Sequence, residues 1–222
     1  MLGLDFTVQA ADIAEAVAPG LPPEETVMSL AAQKAAAVKG CMGDSQRTIV
    51  GADTVVFFQN RIFGKPKSFQ EAFSMLSALS GNTHQVYTGV CILSAKGQEL
   101  LFFERTDVTF FPLTQEEIWN YIHEEKPFDK AGSYGIQGKA AVFVEKIQGD
   151  FFNVVGFPAA RFIRKLRTLE QRTGIFPKRS DRVRGCCPVK RLKRCFVSAA
   201  RTRLLMRRHF GGGAVESTHR PF

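Results

Sequence analysis

Cysteine is sparse and odd in number in this chain, tryptophan is almost absent, and long uncharged apolar runs are missing. The five cysteines, at positions 41, 91, 186, 187 and 195, form no regular disulfide framework. That argues against an oxidised secreted scaffold and fits a reduced intracellular setting, with the cytoplasm as the default compartment. Cys186, Cys187 and Cys195 lack tetrahedral zinc spacing, and His209 and His219 stand too far away in sequence to complete such a motif. No charged start followed by an apolar core marks a signal peptide, and no uncharged apolar run reaches the roughly 18 residues that a membrane span needs. Neither a P-loop nor a dinucleotide-binding glycine fingerprint is present.

What is present suffices for a substantial core. The chain has 222 residues, 45% of them hydrophobic, and its 20 phenylalanines against 3 tyrosines and 1 tryptophan imply apolar packing rather than a polar aromatic surface. The net charge of +9 hides a division. Residues 1–160 carry 12 basic and 18 acidic side chains, whereas residues 161–222 carry 18 basic and 3 acidic ones. We therefore read a mildly acidic body over 1–170 and a basic, flexible tail over 171–222. Only the tail could attract RNA or an anionic membrane through bulk charge.

Periodicity places alternating helices and strands along the body. A strand is expected over 3–8, with Asp12 and Glu15 following it as either pocket carboxylates or surface punctuation. A helix is expected from about Pro23 to Lys39, where Val27, Leu30, Ala31, Ala35 and Val38 form an apolar stripe. Lys34 borders that stripe, free either to snorkel to solvent or to aim its ammonium into a cleft. Ser68 and Glu71 open a second helix to Leu79, and Thr114 with Glu117 opens a third to about His123. Strands are expected around His84–Leu93, Leu100–Phe111 and Ala141–Ile147, with Phe151–Val155 resuming an extended run. Thr88-Gly89 would allow another element to approach the backbone closely. A last amphipathic helix is expected over Ala159–Leu169, and a short one over Val197–Met206 in the tail.

The run TIVGADTVVFFQNRIFGKP, from Thr48 to Pro66, carries the strongest chemical signal. Ile49-Val50 and Val55–Phe58 read as a buried strand interrupted at Gly51–Thr54. An acid there, Asp53, is costly to bury unless a cation or several hydrogen bonds compensate. Lys65 could bring positive charge to the same cleft; alternatively both residues sit on a solvated turn. A second suggestive stretch, Lys126–Gly138, has three glycines in seven positions beside Asp129 and Lys130, and could cradle a polar ligand with backbone amides and Gln137. His84 reads more simply as a structural hydrogen-bond partner than as a catalyst.

Five ordered blocks, GADT, GKP, MLSALSGNTHQVYTG, DKAGSYGIQG and GDFFNVVGFP, closely resemble the Maf family of nucleoside triphosphate pyrophosphatases over about residues 1–168. The likeness extends to the eukaryotic Maf-like domain, and DKAG…GIQG is similar to the branch acting on dTTP and UTP. The resemblance implies an α/β fold, a mixed sheet in two lobes around a nucleotide cleft, often as a homodimer. It also implies hydrolysis of a nucleoside triphosphate between the α and β phosphates with Mg²⁺ or Mn²⁺.

By the same resemblance, Asp53 and Glu15 are the catalytic and metal-binding acids. Lys34 (in SLAAQKA), Lys65, Asp129 and Lys130 bind the substrate, and Thr54 and Gln137 select its base. The family's usual opening strand and S-x-S-P-R-R-like loop have no counterpart before Met1, which predicts either an exposed sheet edge or a loss of core packing. A noncatalytic nucleotide-binding product and an RNA-associated protein acting through its tail are the rival readings.

Overall fold

The computed structural model describes residues 4, 6–11, 13–42, 47–173 and 194–198. Strand β1 (Phe6–Val8) precedes helix α1 (Pro23–Met42), strands β2 (Ile49–Phe58) and β3 (Arg61–Phe63), and helix α2 (Phe69–Leu79). The long strands β4 (Thr83–Leu93) and β5 (Glu99–Phe110) follow, then helix α3 (Gln115–Glu125), strand β6 (Val144–Gln148), helices α4 (Phe151–Val155) and α5 (Ala159–Thr173), and strand β7 (Arg194–Ser198). They build one mixed sheet in the order β1-β7-β2-β4-β5-β6, with β3 paired to β2. β2, β4, β5 and β6 run antiparallel, whereas β7 lies parallel to both of its neighbours. No described helix is long and apolar enough to cross a membrane.

β2 is continuous through Gly51–Thr54, where the sequence suggested an interruption. α1 explains why. A Cβ on Gly51 would stand 2.2 Å from the Ala31 carbonyl oxygen, and one on Gly89 of β4 would stand 2.2 Å from that of Val27. The two glycines thus let the helix backbone lie directly on the sheet, a close approach that no other residue type permits. Alternation along β2 then divides the core. Ile49 packs with Ala31, Ala35 and Val38 of α1, while Val50 and Ala52 pack with Phe162, Leu166 and Leu169 of α5. Further along, Val56 and Phe58 join Leu76, Leu79, Ile118 and Ile122 of α2 and α3 in the largest apolar cluster.

The caps are where they were expected. Thr114 and Glu117 form a reciprocal capping box. Ser68 accepts from the Glu71 amide, but the Glu71 carboxylate accepts from the Lys67 amide, one residue before the cap. Three further assignments differ. Ala141–Phe143, expected to open a strand, belong to a 3-10 helix over Lys139–Phe143, and β6 starts only at Val144. Phe151–Val155 is a helix, not an extended run, because the Asp150 side chain caps the Phe152 amide and Gly156 ends the turn at φ 116°. Val197 and Ser198 belong to β7 and not to a helix. The rest of that expected helix, and the flexibility expected of 174–193 and 199–222, lie outside the described residues.

Candidate active site

Asp53 lies in the middle of β2, opposite Gly89 of β4. Its side of the strand faces α1, and Lys34 reaches across from that helix. The Lys34 ammonium bonds to Asp53 Oδ1 and lies 2.8 Å from Glu15 Oε1. Lys34 and Asp53 are buried, while Glu15 is half exposed at the mouth. Of the two readings open for Lys34, snorkelling is therefore excluded. The amphipathic stripe puts the residue on the packed side of α1, and the close seat of α1 on Gly51 and Gly89 brings the ammonium to the carboxylate.

Burial pushes the Asp53 carboxyl above the usual carboxylate range; Lys34 opposes the shift, Glu15 adds to it, and Lys65 acts against it from farther away. For Lys34, burial alone would lower the pKa, but Asp53 and Glu15 outweigh it and hold the ammonium above its ordinary value. The cluster therefore keeps a proton on lysine at neutral pH, beside a carboxylate that is unusually ready to accept one.

β2 is covered unevenly along its outer edge. β7 pairs with Ile49–Ala52 and β3 with Val56–Phe58, so among the described residues Asp53, Thr54 and Val55 form a gap between the two partners. A ligand in that gap can meet side chains from both faces of the sheet: Asp53 on the α1 side, and half-buried Thr54 on the side of α4. Thr54 Oγ1 lies 2.9 Å from Thr88 Oγ1 and 3.4 Å from the Gly156 carbonyl oxygen.

The glycine-rich loop is tied to the same end of the sheet. The Gly132 amide donates to the Gly64 carbonyl at 3.0 Å, which holds the loop beside Lys65. Asp129 and Lys130 pair with each other at 2.9 Å, both partly exposed. Gln137 stands exposed farther along the loop. The structure thus joins Glu15, Lys34 and Asp53 by contact, Lys65 by electrostatic reach, and Asp129 and Lys130 through the neighbouring loop. Gln137 is connected to them only by belonging to that loop. Asp12 lies outside the described residues.

Period-two alternation sets the Thr106 hydroxyl on the same face of β5 as Glu104, Val108 and Phe110, but sequence reasoning marked neither the Thr88 hydroxyl nor Asn153; all three residues are fully buried. Asp150, recognisable as a helix cap, was the signal that could have found Asn153. His84 is buried and bonds through Nε2 to the Tyr134 hydroxyl at 2.8 Å, in the structural role expected of it. Among the described residues no group of three or more His, Cys, Asp or Glu side chains could hold a metal ion. Glu15 and Asp53 nevertheless converge on one cation, the Lys34 ammonium. Two convergent carboxylates suit a hard cation that draws its remaining ligands from water and substrate phosphates, rather than an all-protein cage.

A family profile described as Maf-like protein matches residues 1–169. A protein from Bacillus cereus named dTTP/UTP pyrophosphatase is 48% identical over 170 residues, covering 77% of this chain and 87% of its own length. A Bacillus anthracis protein of the same name is 48% identical over 167 residues, covering 75% and 86%. A crystal structure of a nucleoside-triphosphatase / dITP/XTP pyrophosphatase from Mycobacterium abscessus aligns at 10% identity over 76% of this chain and 81% of its own, with a TM-score of only 0.32. The family match spans the strand, helix and loops that bring Glu15, Lys34, Asp53 and Lys65 together, and the chain belongs to the Maf-like protein family.

Proposed function

We propose that this chain hydrolyses the bond between the α and β phosphates of a keto-pyrimidine nucleoside triphosphate, UTP or dTTP, releasing the monophosphate and pyrophosphate. The observation that carries the reading is the buried Lys34 ammonium bound to Asp53 and Glu15, beside the stretch of β2 that no described strand covers on its outer edge. The names of the relatives support the substrate class.

In this reading a water oxygen attacks the α phosphorus and Asp53 takes its proton, a task suited to a carboxylate whose pKa burial has raised. The bond from the α phosphorus to the bridging oxygen breaks, and the electron pair leaves with pyrophosphate. Lys34 fixes the Asp53 carboxylate, while Lys65 and Lys130 offset charge that develops on the phosphate oxygens. Glu15 and Asp53 would hold a divalent cation, Mg²⁺ or Mn²⁺, whose contribution is to neutralise phosphate charge. Thr54, half-buried in the uncovered stretch, meets the base, with Gln137 contributing from the loop.

The test is turnover of UTP, dTTP and CTP by folded protein with Mg²⁺ or Mn²⁺, separating monophosphate from diphosphate products. Asp53→Asn should lower monophosphate release by about 10²–10⁴-fold while thermal unfolding remains cooperative. Equal turnover by wild type and Asp53→Asn refutes the assigned base, and nucleotide binding without turnover selects a noncatalytic protein.

A further inference from the structure

Glu15 stands on a part of the chain that no helix or strand holds. Residues 13–18 have no regular backbone structure, and 14–18 are exposed. The Glu15 carboxylate nonetheless lies 2.8 Å from the buried Lys34 ammonium. A half-exposed ion pair is a weak tether by itself, because solvent screens it and two long side chains lose freedom in forming it.

Gln33 supplies a second tether. Its Oε1 accepts from the Ala16 amide at 3.2 Å, and its Nε2 donates to the Ala16 carbonyl at 2.7 Å. The carboxamide thus engages the N–H and the C=O of a single residue, the double exchange that a facing strand residue makes in an antiparallel pair. Nε2 also donates to Ser29 Oγ at 3.1 Å, one turn earlier on α1. Only one orientation of the amide serves: turned over, it would set its NH₂ group against the Ala16 N–H and its oxygen against the Ala16 carbonyl.

Register links this clasp to the site. Gln33 and Lys34 are neighbours on α1, as Ala16 and Glu15 are on the exposed segment, so the two pairs meet side by side. We infer that Gln33 is a positioning residue whose carboxamide clasps Ala16 and so delivers the Glu15 carboxylate to Lys34 and Asp53, completing a two-carboxylate seat for a divalent cation. The inference rests on the proposal that Glu15 and Asp53 hold that cation. Gln33 acts through Glu15 and needs no contact of its own with cation or nucleotide.

The experiment follows Mn²⁺ binding by electron paramagnetic resonance in wild type, Gln33→Met, Glu15→Gln and the double variant, with thermal unfolding as a folding control. Methionine keeps the length and helix propensity of glutamine and removes both the donor and the acceptor. Loss of a partner that orients a metal ligand weakens metal binding by about 10–100-fold, and Gln33→Met should fall in that range while unfolding stays cooperative. In the Glu15→Gln background the same change should weaken binding no further. Excess Mn²⁺ should also restore UTP turnover by Gln33→Met toward the wild-type rate, a rescue that a general loss of packing would not give. If Gln33→Met does not fold, Gln33→Ala removes the same groups and is judged by the same affinity.

A folded methionine or alanine variant with wild-type Mn²⁺ affinity overturns the inference, as does a loss of equal size with and without Glu15. Should Glu15→Gln take up no Mn²⁺ at all, the rescue decides: restored turnover supports the clasp, and its absence overturns it. A wild type that binds no Mn²⁺ removes the seat and the inference with it. Affinity that falls as expected in a protein unable to turn over UTP supports the clasp and refutes the hydrolytic reading, whereas turnover with an unchanged affinity does the reverse.

Discussion

Replacing Gly89 by alanine should lift helix α1 from the sheet and disable the site without touching any of its polar groups. The new Cβ would stand 2.2 Å from the Val27 carbonyl oxygen, 2.3 Å from its carbonyl carbon and 2.6 Å from the Met28 amide nitrogen. All three atoms are helix backbone and cannot swing aside. To restore ordinary contact the helix must retreat by roughly 1 Å, a displacement that can cost about 10²-fold in rate when it moves a catalytic group. Lys34 rides on that helix, and Asp53 sits directly across the strand pair from Gly89. Overpacking of this kind costs about 1–3 kcal/mol, and a domain of this size loses about 2–4 °C of Tm per kcal/mol, so Tm should drop by roughly 2–12 °C. Gly40, near the end of the same helix, provides the control. A Cβ there meets nothing within 4 Å, and Gly40→Ala should add up to about 1 kcal/mol of helix stability with turnover unchanged. The assays are thermal unfolding and UTP turnover on both variants. A Gly89→Ala protein with wild-type Tm and turnover would refute the claim that glycine contacts set the position of Lys34.

Two further outcomes follow from buried charge. Burial lowers the pKa of His84 from 6.5 to about 4, against a smaller upward pull from Asp107, so below pH 6.5 the unfolded chain takes a proton that the folded chain refuses. Its contribution to stability is complete at pH 7, declines as pH falls, and levels off near pH 4 after a loss of roughly 3 kcal/mol; chemical denaturation across that range should show a shallower slope in His84→Gln, and an identical slope would disprove the assignment. Lys34→Met strands the Asp53 carboxylate in an apolar setting at a cost of about 3–5 kcal/mol at neutral pH; because the folded pKa of Asp53 is then raised further, stability should recover as pH falls, and adding Asp53→Asn should relieve most of the loss, whereas strictly additive effects would show that the two residues are uncoupled.

The helices were legible because their signals are local. The apolar stripe of α1, the Thr114–Glu117 box and the Ser68 cap each lie within a few residues, and each marks the element that the structure contains. Phe151–Val155 was misread because four of its five residues are aromatic or β-branched and suit a strand as well as a helix turn, and only the flanking Asp150 and Gly156 decide the matter. The site was legible in its parts. Asp53 demanded a compensating cation, and Lys34 stood at the edge of a packed face where it could be one. What sequence could not provide was the separation between them in space, because that depends on helix and sheet meeting backbone to backbone at Gly51 and Gly89. The contacts of Thr88 with Thr54 and with the Asn153 carbonyl were hidden for a similar reason: the three residues are far apart in sequence, and threonine within a strand ordinarily reads as a packing residue.

The sheet edge joins fold to site. The Maf resemblance predicts either an exposed sheet edge or a loss of core packing, and among the described residues the edge of β2 away from β4 is partly occupied. β7, drawn from the basic segment, runs parallel between β1 and β2 and pairs with β2 from Ile49 to Ala52. Its described register runs as far as Ala52 opposite Ser198. β3 begins its own pairing at Val56. The backbone of Gly51 is therefore engaged on both sides, as suits a residue that must hold α1 in place, while among the described residues no strand pairs with Asp53 or Thr54 on the side away from β4. A β7 that paired farther along would screen these two residues from a ligand. Among the described residues the same edge is thus paired where it supports the helix and unpaired at Asp53 and Thr54, where the proposed chemistry needs access.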